Sequence, residues 1–199
     1  MSTRTAARQY WVAIRAMLVF TVVLGVGYTA VVTAVGQAAL PGRANGSLIE
    51  VDGESIGSSL IGQSFADADG AALPEWFQSR PSAAGHDGGA STGSNYGPNS
   101  TDLAALIEQR KAAIAALEGV AIDEIPEDAY TASASGLDPH ISVEYALLQV
   151  DRVAETRGLD AERVQELVES KVEGRDLGYL GEPRVNVLEL NIALAEMDN

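Results

Sequence analysis

The residues Gly89-Ala90-Ser91-Thr92-Gly93 read G-x-S-x-G. In hydrolases this spacing sets a serine on a sharp strand-to-helix turn, with an acid and then a histidine later in the chain. Asp138 and His140 stand downstream in that order. The turn requires a buried strand before the serine, whereas the preceding residues, AAGHDGG, are small and polar. A Gly/Ser-rich stretch also produces this spacing easily by chance. His86 and His140 are the only histidines, and neither has a partner at metal-ligand spacing. With no cysteine there is no thiol nucleophile, disulfide framework or Cys-based zinc site. The same stretch lacks the GK[ST] of a P-loop and holds no G-x-G-x-x-G. Consecutive glycine and serine N–H groups leave a backbone anion nest as its remaining device.

The elements that would position these residues begin with Ala16 to Gly36, AMLVFTVVLGVGYTAVVTAVG. These 21 residues carry no Asp, Glu, Lys or Arg. At about 1.5 Å per residue they span about 30 Å, the hydrocarbon thickness of a bilayer. Arg4, Arg8 and Arg15 precede the stretch and no acid occurs before Glu50. The positive-inside rule therefore keeps residues 1–15 in the cytoplasm and carries residues 37–199 outside it, with Tyr10 and Trp11 placed as interfacial anchors. Ala34 and Gly36 have the spacing of a signal cleavage site, but a signal's apolar region is usually ~7–15 residues, shorter than this one. The expectation is an uncleaved single-pass cell-membrane anchor. Gly25, Thr29 and Thr33 form a small, weakly polar stripe on it, suited to packing against another helix.

Beyond Gly36 the chain carries 10 basic and 28 acidic residues, a net charge of −18. Such a surface repels nucleic acid and anionic headgroups. With lysine only at 111 and 171, it has the balance of a protein adapted to salt. The roughly 160 outer residues are enough for one domain with a modest core. Residues 45–65 read as short strands split by Gly53 and Gly57, and Trp76 and Phe77 as core aromatics. Residues 79–101 read as a long Gly/Ser/Asn/Pro loop and 126–140 as a second. Helices are expected from Ser100 or Thr101 to Leu117, from Ser142 to Arg157, after Asp160 to Gly174, and over RVNVLELNIALAEM at the end. Pro183 suits the first turn of that last helix. The expected fold is α+β: one N-terminal transmembrane helix, then a single helix-rich mixed extracytoplasmic domain.

Seven segments also occur in the order of a known family: ANGSLI (44–49), GSSLIGQSF (57–65), WFQSRPSAAG (76–85), GSNYGP (93–98), TASASGLDPHIS (131–142), QVDRVAETRG (149–158) and GEPRVNVLELNIAL (181–194). Together they resemble KdpC, the C subunit of the Kdp potassium-transporting P-type ATPase, over almost the whole chain. The resemblance implies a non-enzymatic accessory subunit of a high-affinity, ATP-driven potassium-uptake complex. Its partners would be a channel-like potassium-binding subunit, a P-type ATP-hydrolysing subunit and a small single-helix subunit. It also implies a catalytic chaperone that raises the ATP affinity of the hydrolysing subunit, with ATP binding ascribed to the family. Within it, the partner-facing surface is expected on Arg80, Pro81 and Ser82, on Gly93, Ser94 and Asn95, and on Gly136, Leu137, Asp138 and Pro139, since polar Gly-rich loops are where function tends to sit. The other readings of the same residues are a membrane-anchored serine hydrolase using Ser91 and an extracytoplasmic ligand-binding module.

Overall fold

A computed structural model describes residues 3–197. Met1 and Ser2 of the expected cytoplasmic segment, and Asp198 and Asn199 at the end of the expected domain, lie outside the described residues. The chain forms two compact units that divide between Leu48 and Ile49.

The first unit is helical throughout. Helix α1 (Thr3–Phe20) continues through a π-helical stretch (Thr21–Tyr28) into α2 (Thr29–Ala39). Ala6–Ala39 is long and apolar enough to cross a membrane, and its side chains point outward without burial in the protein. The helix overruns the uncharged stretch because residues 6–15 are also good helix formers. Gly25 lies inside the π stretch, while Thr29 and Thr33 lie one α-turn apart on α2. The wider π winding sets the direction of Gly25 relative to the two threonines. Leu40 ends α2, and Pro41 opens the short α3 (Pro41–Ala44), where its missing N–H costs nothing. The amides of Gln37 and Asn45 then pair reciprocally at 3.0 and 3.1 Å, and Asn45 Nδ2 also donates to the Pro41 carbonyl at 2.8 Å.

In the second unit, β1 (Leu48–Val51) and β2 (Glu54–Ser58) make a hairpin. Its two-residue turn, Asp52-Gly53, has φ of 54° and 81°, the left-handed pair that a turn twisting with the strands requires. Residues 59–100 run as turns and extended segments. Helix α4 (Thr101–Glu118) starts where Ser100 Oγ accepts the Leu103 N–H and stops at Gly119, whose φ is 70°. A 3₁₀ turn (Ile122–Glu124) and α5 (Glu127–Tyr130) come next, the latter inside the segment expected to be loop.

The expected Ser142–Arg157 helix is three elements. Strand β3 (His140–Ser142) leads into α6 (Val143–Leu148), and α7 (Val150–Arg157) begins after an interruption at Gln149. Asp160 caps α8 (Ala161–Ser170), which ends four residues before Gly174 because Val172 leaves to form β4 (Val172–Glu173). The last segment is also divided: Arg184–Asn186 are β5, and α9 (Val187–Glu196) begins only after Asn186. Pro183 thus precedes a strand rather than opening a helix. The three strands form an antiparallel sheet in the order β3-β5-β4, pairing Ile141 and Val172 with Val185. Periodicity missed them because two- and three-residue strands are too short to show an alternation.

Ser142 and Asn186 explain why each strand turns into a helix without a loop. Each is the last residue of its strand, has extended backbone, and caps the next helix with its side chain. The core lies between the sheet and helices α6–α9, with Phe77, Val153, Val164, Val168, Val185, Leu190 and Leu194 fully buried.

Phe77 enters this core on a backbone that joins no strand. Its N–H donates to Asn191 Oδ1 and its carbonyl accepts from Asn191 Nδ2, both at 2.9 Å. Asn191→Leu would leave both backbone groups buried without partners. At about 1–3 kcal/mol for each such group, a loss of about 2–4 kcal/mol is expected in denaturant unfolding followed by tryptophan fluorescence. A loss under about 1 kcal/mol would show that the clasp is not structural.

Candidate functional site

The segment 74–78 fixes where the first predicted loop begins. Gln149 Oε1 accepts from Gln78 N at 2.6 Å, and its Nε2 donates to the Gln78 carbonyl at 3.3 Å. Arg152 Nη1 donates to the carbonyls of Pro74 and Trp76, while Nη2 reaches Gln149 Oε1 at 2.9 Å. Arg152 Nε meets Glu118 Oε2 at 2.9 Å, and both side chains are almost wholly buried. Burial raises the Glu118 carboxyl, and Arg152 opposes that rise. Arg157 donates to the Glu75 carbonyl at 2.7 Å and lies over the Trp76 ring at 4.2 Å. With Asn191 on α9, side chains of α7 and of the junction before it therefore supply the partners that a sheet would otherwise give this backbone.

From there the two predicted loops zip together. Ser82 Oγ donates to the Gly136 carbonyl at 2.6 Å and accepts the N–H groups of Ala84 and His86. Ser133 N donates to the Pro81 carbonyl and Thr92 N to the Ser135 carbonyl, while Gly62 N, from the segment before both loops, donates to the Leu137 carbonyl. The close approach needs glycine at two places. A Cβ on Gly93 would sit 2.9 Å from the Ala134 carbonyl oxygen, and one on Gly136 would sit 2.6 Å from that of Thr92. The structure thus brings Arg80, Pro81, Ser82 and Gly93 together with Gly136, Leu137, Asp138 and Pro139. Gly136 and Pro139 are buried there, and Ser94 and Asn95 are exposed on the outer rim. Gly25, Thr29 and Thr33 belong to the other unit and take no part.

Ser91 is exposed in this pair of loops, and its Oγ donates to the Ser135 carbonyl at 2.9 Å. No strand directly precedes it and no helix begins before Thr101 in this stretch of the described residues, so the elbow that activates a hydrolase serine is not formed. Asp138 is engaged elsewhere. Its Oδ2 accepts from Arg80 Nη1 at 2.9 Å, and its Oδ1 accepts the His140 backbone N–H at 3.0 Å. His86 is half-buried, which lowers its pKa by desolvation.

A line of alternating basic and acidic side chains runs on from Arg80 and Asp138. The His140 ring lies 3.4 Å from Asp138 Oδ1 on one side and 3.8 Å from Glu173 Oε2 on the other. Arg184 then meets Glu173 at 2.9 Å and Asp176 at 3.9 Å. The line ties the first loop to all three strands of the sheet. It borders an open cavity of about 470 Å³ lined by Arg80, His140 and Arg184 together with Glu127, Asp128, Asp138 and Glu182. Four carboxylates face two arginines that are already paired. This donor set does not fit a nucleotide triphosphate, whose charge would be repelled.

Arg80 and Asp138 were legible in the sequence, whereas Glu173 and Arg184, and the residues Glu118, Gln149, Arg152 and Asn191 that hold segment 74–78, were not. The available signal was a polar residue standing where a helix's apolar stripe should continue, as Asn191 does within LELNIAL.

Burial by itself would raise the Asp138 carboxyl. The His140 ring and amide, with the Arg80 guanidinium, overcome that and hold it down at about 2, against an ordinary 3.8. A folded-state value below the unfolded one makes the stabilisation complete above the ordinary value and lost as pH falls toward the depressed one. Between pH 3.8 and about 2, the unfolding temperature should therefore fall more steeply for the unaltered chain than for Asp138→Asn. Parallel pH profiles would show that Asp138 gains nothing from these partners.

A family profile described as KdpC, K+-transporting ATPase c chain, matches residues 10–196. The chain is 51% identical over 189 residues to a potassium-transporting ATPase KdpC subunit of Kineococcus radiotolerans, covering 94% of this chain and 93% of that one. It is 50% identical to the protein of that name from Herpetosiphon aurantiacus, covering 93% and 94% of the two chains. For the protein of that name from Streptomyces coelicolor, identity is 46% over 98% and 96% of the two chains. The matched range includes most of the apolar helix, residues 74–78, both loops and the β3-β5-β4 sheet, and the chain belongs to the KdpC family.

Proposed function

We propose that the chain is an accessory, non-catalytic subunit of a high-affinity, ATP-driven potassium-uptake complex. The observation that carries this reading is the unbroken family match from residue 10 to residue 196, which takes in both units. The apolar helix crosses the membrane once, with residues 1–15 cytoplasmic and the domain of residues 37–199 extracytoplasmic. Gly25, Thr29 and Thr33 pack against a partner helix. The zipped loops at 79–99 and 131–139 meet the other subunits, which are channel-like, P-type ATP-hydrolysing and small single-helix proteins. The chain raises the ATP affinity of the hydrolysing subunit through the assembly, because its own acidic cavity is unsuited to a triphosphate and ATP is scarce outside the cell.

With no native cysteine, one introduced at the exposed Ala161, outside the loops proposed to meet partners, is a clean topological probe. Ala161→Cys should react with a membrane-impermeant maleimide in intact cells; reaction only after lysis reverses the proposed orientation. Leu at both Gly25 and Thr29 blocks close helix approach. It should reduce co-purification with the ATPase subunits several-fold and raise the KM for ATP of the complex that remains. Unchanged recovery would remove the helix contact, and a KM for ATP that stays the same in complex that has lost the chain would remove the chaperone role.

A further inference from the structure

The connection between β4 and β5 carries three large apolar side chains with nothing folded over them. Leu177 is 81% exposed, Tyr179 68% and Leu180 49%. The connection is nevertheless tightly built. Asp176 and Leu180 exchange backbone hydrogen bonds at 2.9 Å in both directions, Tyr179 N donates to the Asp176 carbonyl, and Gly178 N donates to the Arg175 carbonyl. An Arg175–Glu182 ion pair closes the base, and Arg184 lies 3.9 Å from Asp176. At the apex Leu177 has φ of 54°. That is the left-handed region, which glycine or asparagine adopts far more readily than leucine.

Two local costs are therefore met at one place: a leucine in an unfavourable backbone conformation, and a cluster of apolar groups in water. Neither is offset within the unit. Strain held by a rigid surround at an exposed site is characteristic of surfaces that bind. The charge around the tip says what binds. Three carboxylates, Glu173, Asp176 and Glu182, stand at its base against two guanidinium groups, Arg175 and Arg184, in a strongly acidic unit. An anionic bilayer surface is disfavoured by this base. A protein pocket that is apolar inside and basic at its rim is favoured.

We propose that Leu177, Tyr179 and Leu180 form a preformed knob that inserts into an apolar, basic-rimmed pocket on another subunit of the complex. This rests on the assembly reading above and adds its contact point. The large aromatic and aliphatic side chains are the kind that anchor an interface centre, and the locked turn spares the cost of ordering them on binding.

The test uses the full chain in its complex. Tyr179→Cys carrying a benzophenone should photo-crosslink to one ATPase subunit. Leu177→Asn keeps a residue that accepts the left-handed backbone but removes the apolar apex. With Leu180→Asn added, it should cut recovery of the complex roughly tenfold, in the range expected for interface anchors. The isolated chain should meanwhile melt no lower than the unaltered one. Crosslinking to lipid, or to nothing within an intact complex, overturns the knob, as does full recovery of the Asn variant. A variant that melts lower and assembles normally assigns the tip a structural role and overturns it as well. Failure of the unaltered chain to co-purify with any ATPase subunit overturns the assembly reading itself, and the knob with it.

Discussion

Residues 74–78 run through the folded unit without joining a sheet, so their amides and carbonyls must find partners elsewhere. Buried backbone groups left unpaired are costly enough to exclude such a path otherwise. Gln149, Arg152, Arg157 and Asn191 supply those partners from α7, α9 and the junction before α7. Arg152 requires Glu118 in turn, because a guanidinium in this environment needs a countercharge. Helices α4, α7 and α9 are thereby tied to one irregular strap, and the strap delivers Arg80 to the loop surface.

The loops at 79–99 and 131–139 are polar, and the same requirement orders them. They have little apolar area to bury. They hold each other through backbone hydrogen bonds, serine hydroxyls and glycines placed where a Cβ would collide. Their glycine content therefore does not signal floppiness. Glycine lets two backbones lie against one another, and a partner would meet a surface whose shape is already fixed. The alternating basic and acidic side chains from Arg80 to Asp176 then join this surface to the small sheet. The part of the sheet farthest along that line carries the exposed tip.

Long periodic elements were legible in the sequence. Helix α4 shows its Ser100 cap, its 3–4 spacing and its Gly119 stop, and α8 shows its Asp160 cap. The Asp52-Gly53 hairpin lies within the segment read as short strands, with Gly53 marked as its turn. The break at Gln149 was not legible. Its side chain leaves the helical register to serve a segment 71 residues away, and no local pattern encodes that. The sheet was hidden for a related reason: Val185 and Val172 fit a helical stripe as well as a strand, and only pairing across the chain distinguishes the two.

For the candidate site, composition and order along the chain determined the class of surface: two polar, glycine-rich loops, an apolar helix and an acidic exterior. These are properties of residue type and spacing, which one sequence states outright. Tertiary structure alone decided which of those residues meet. It took Asp138 out of a hydrolase arrangement with Ser91 and gave it to Arg80 and His140. It recruited Glu173 and Arg184 to the same line, and it left Leu177, Tyr179 and Leu180 uncovered at the end of a locked turn. Contacts between residues distant in sequence depend on how the strap and the sheet bring segments together, and that is set by burial over the whole unit.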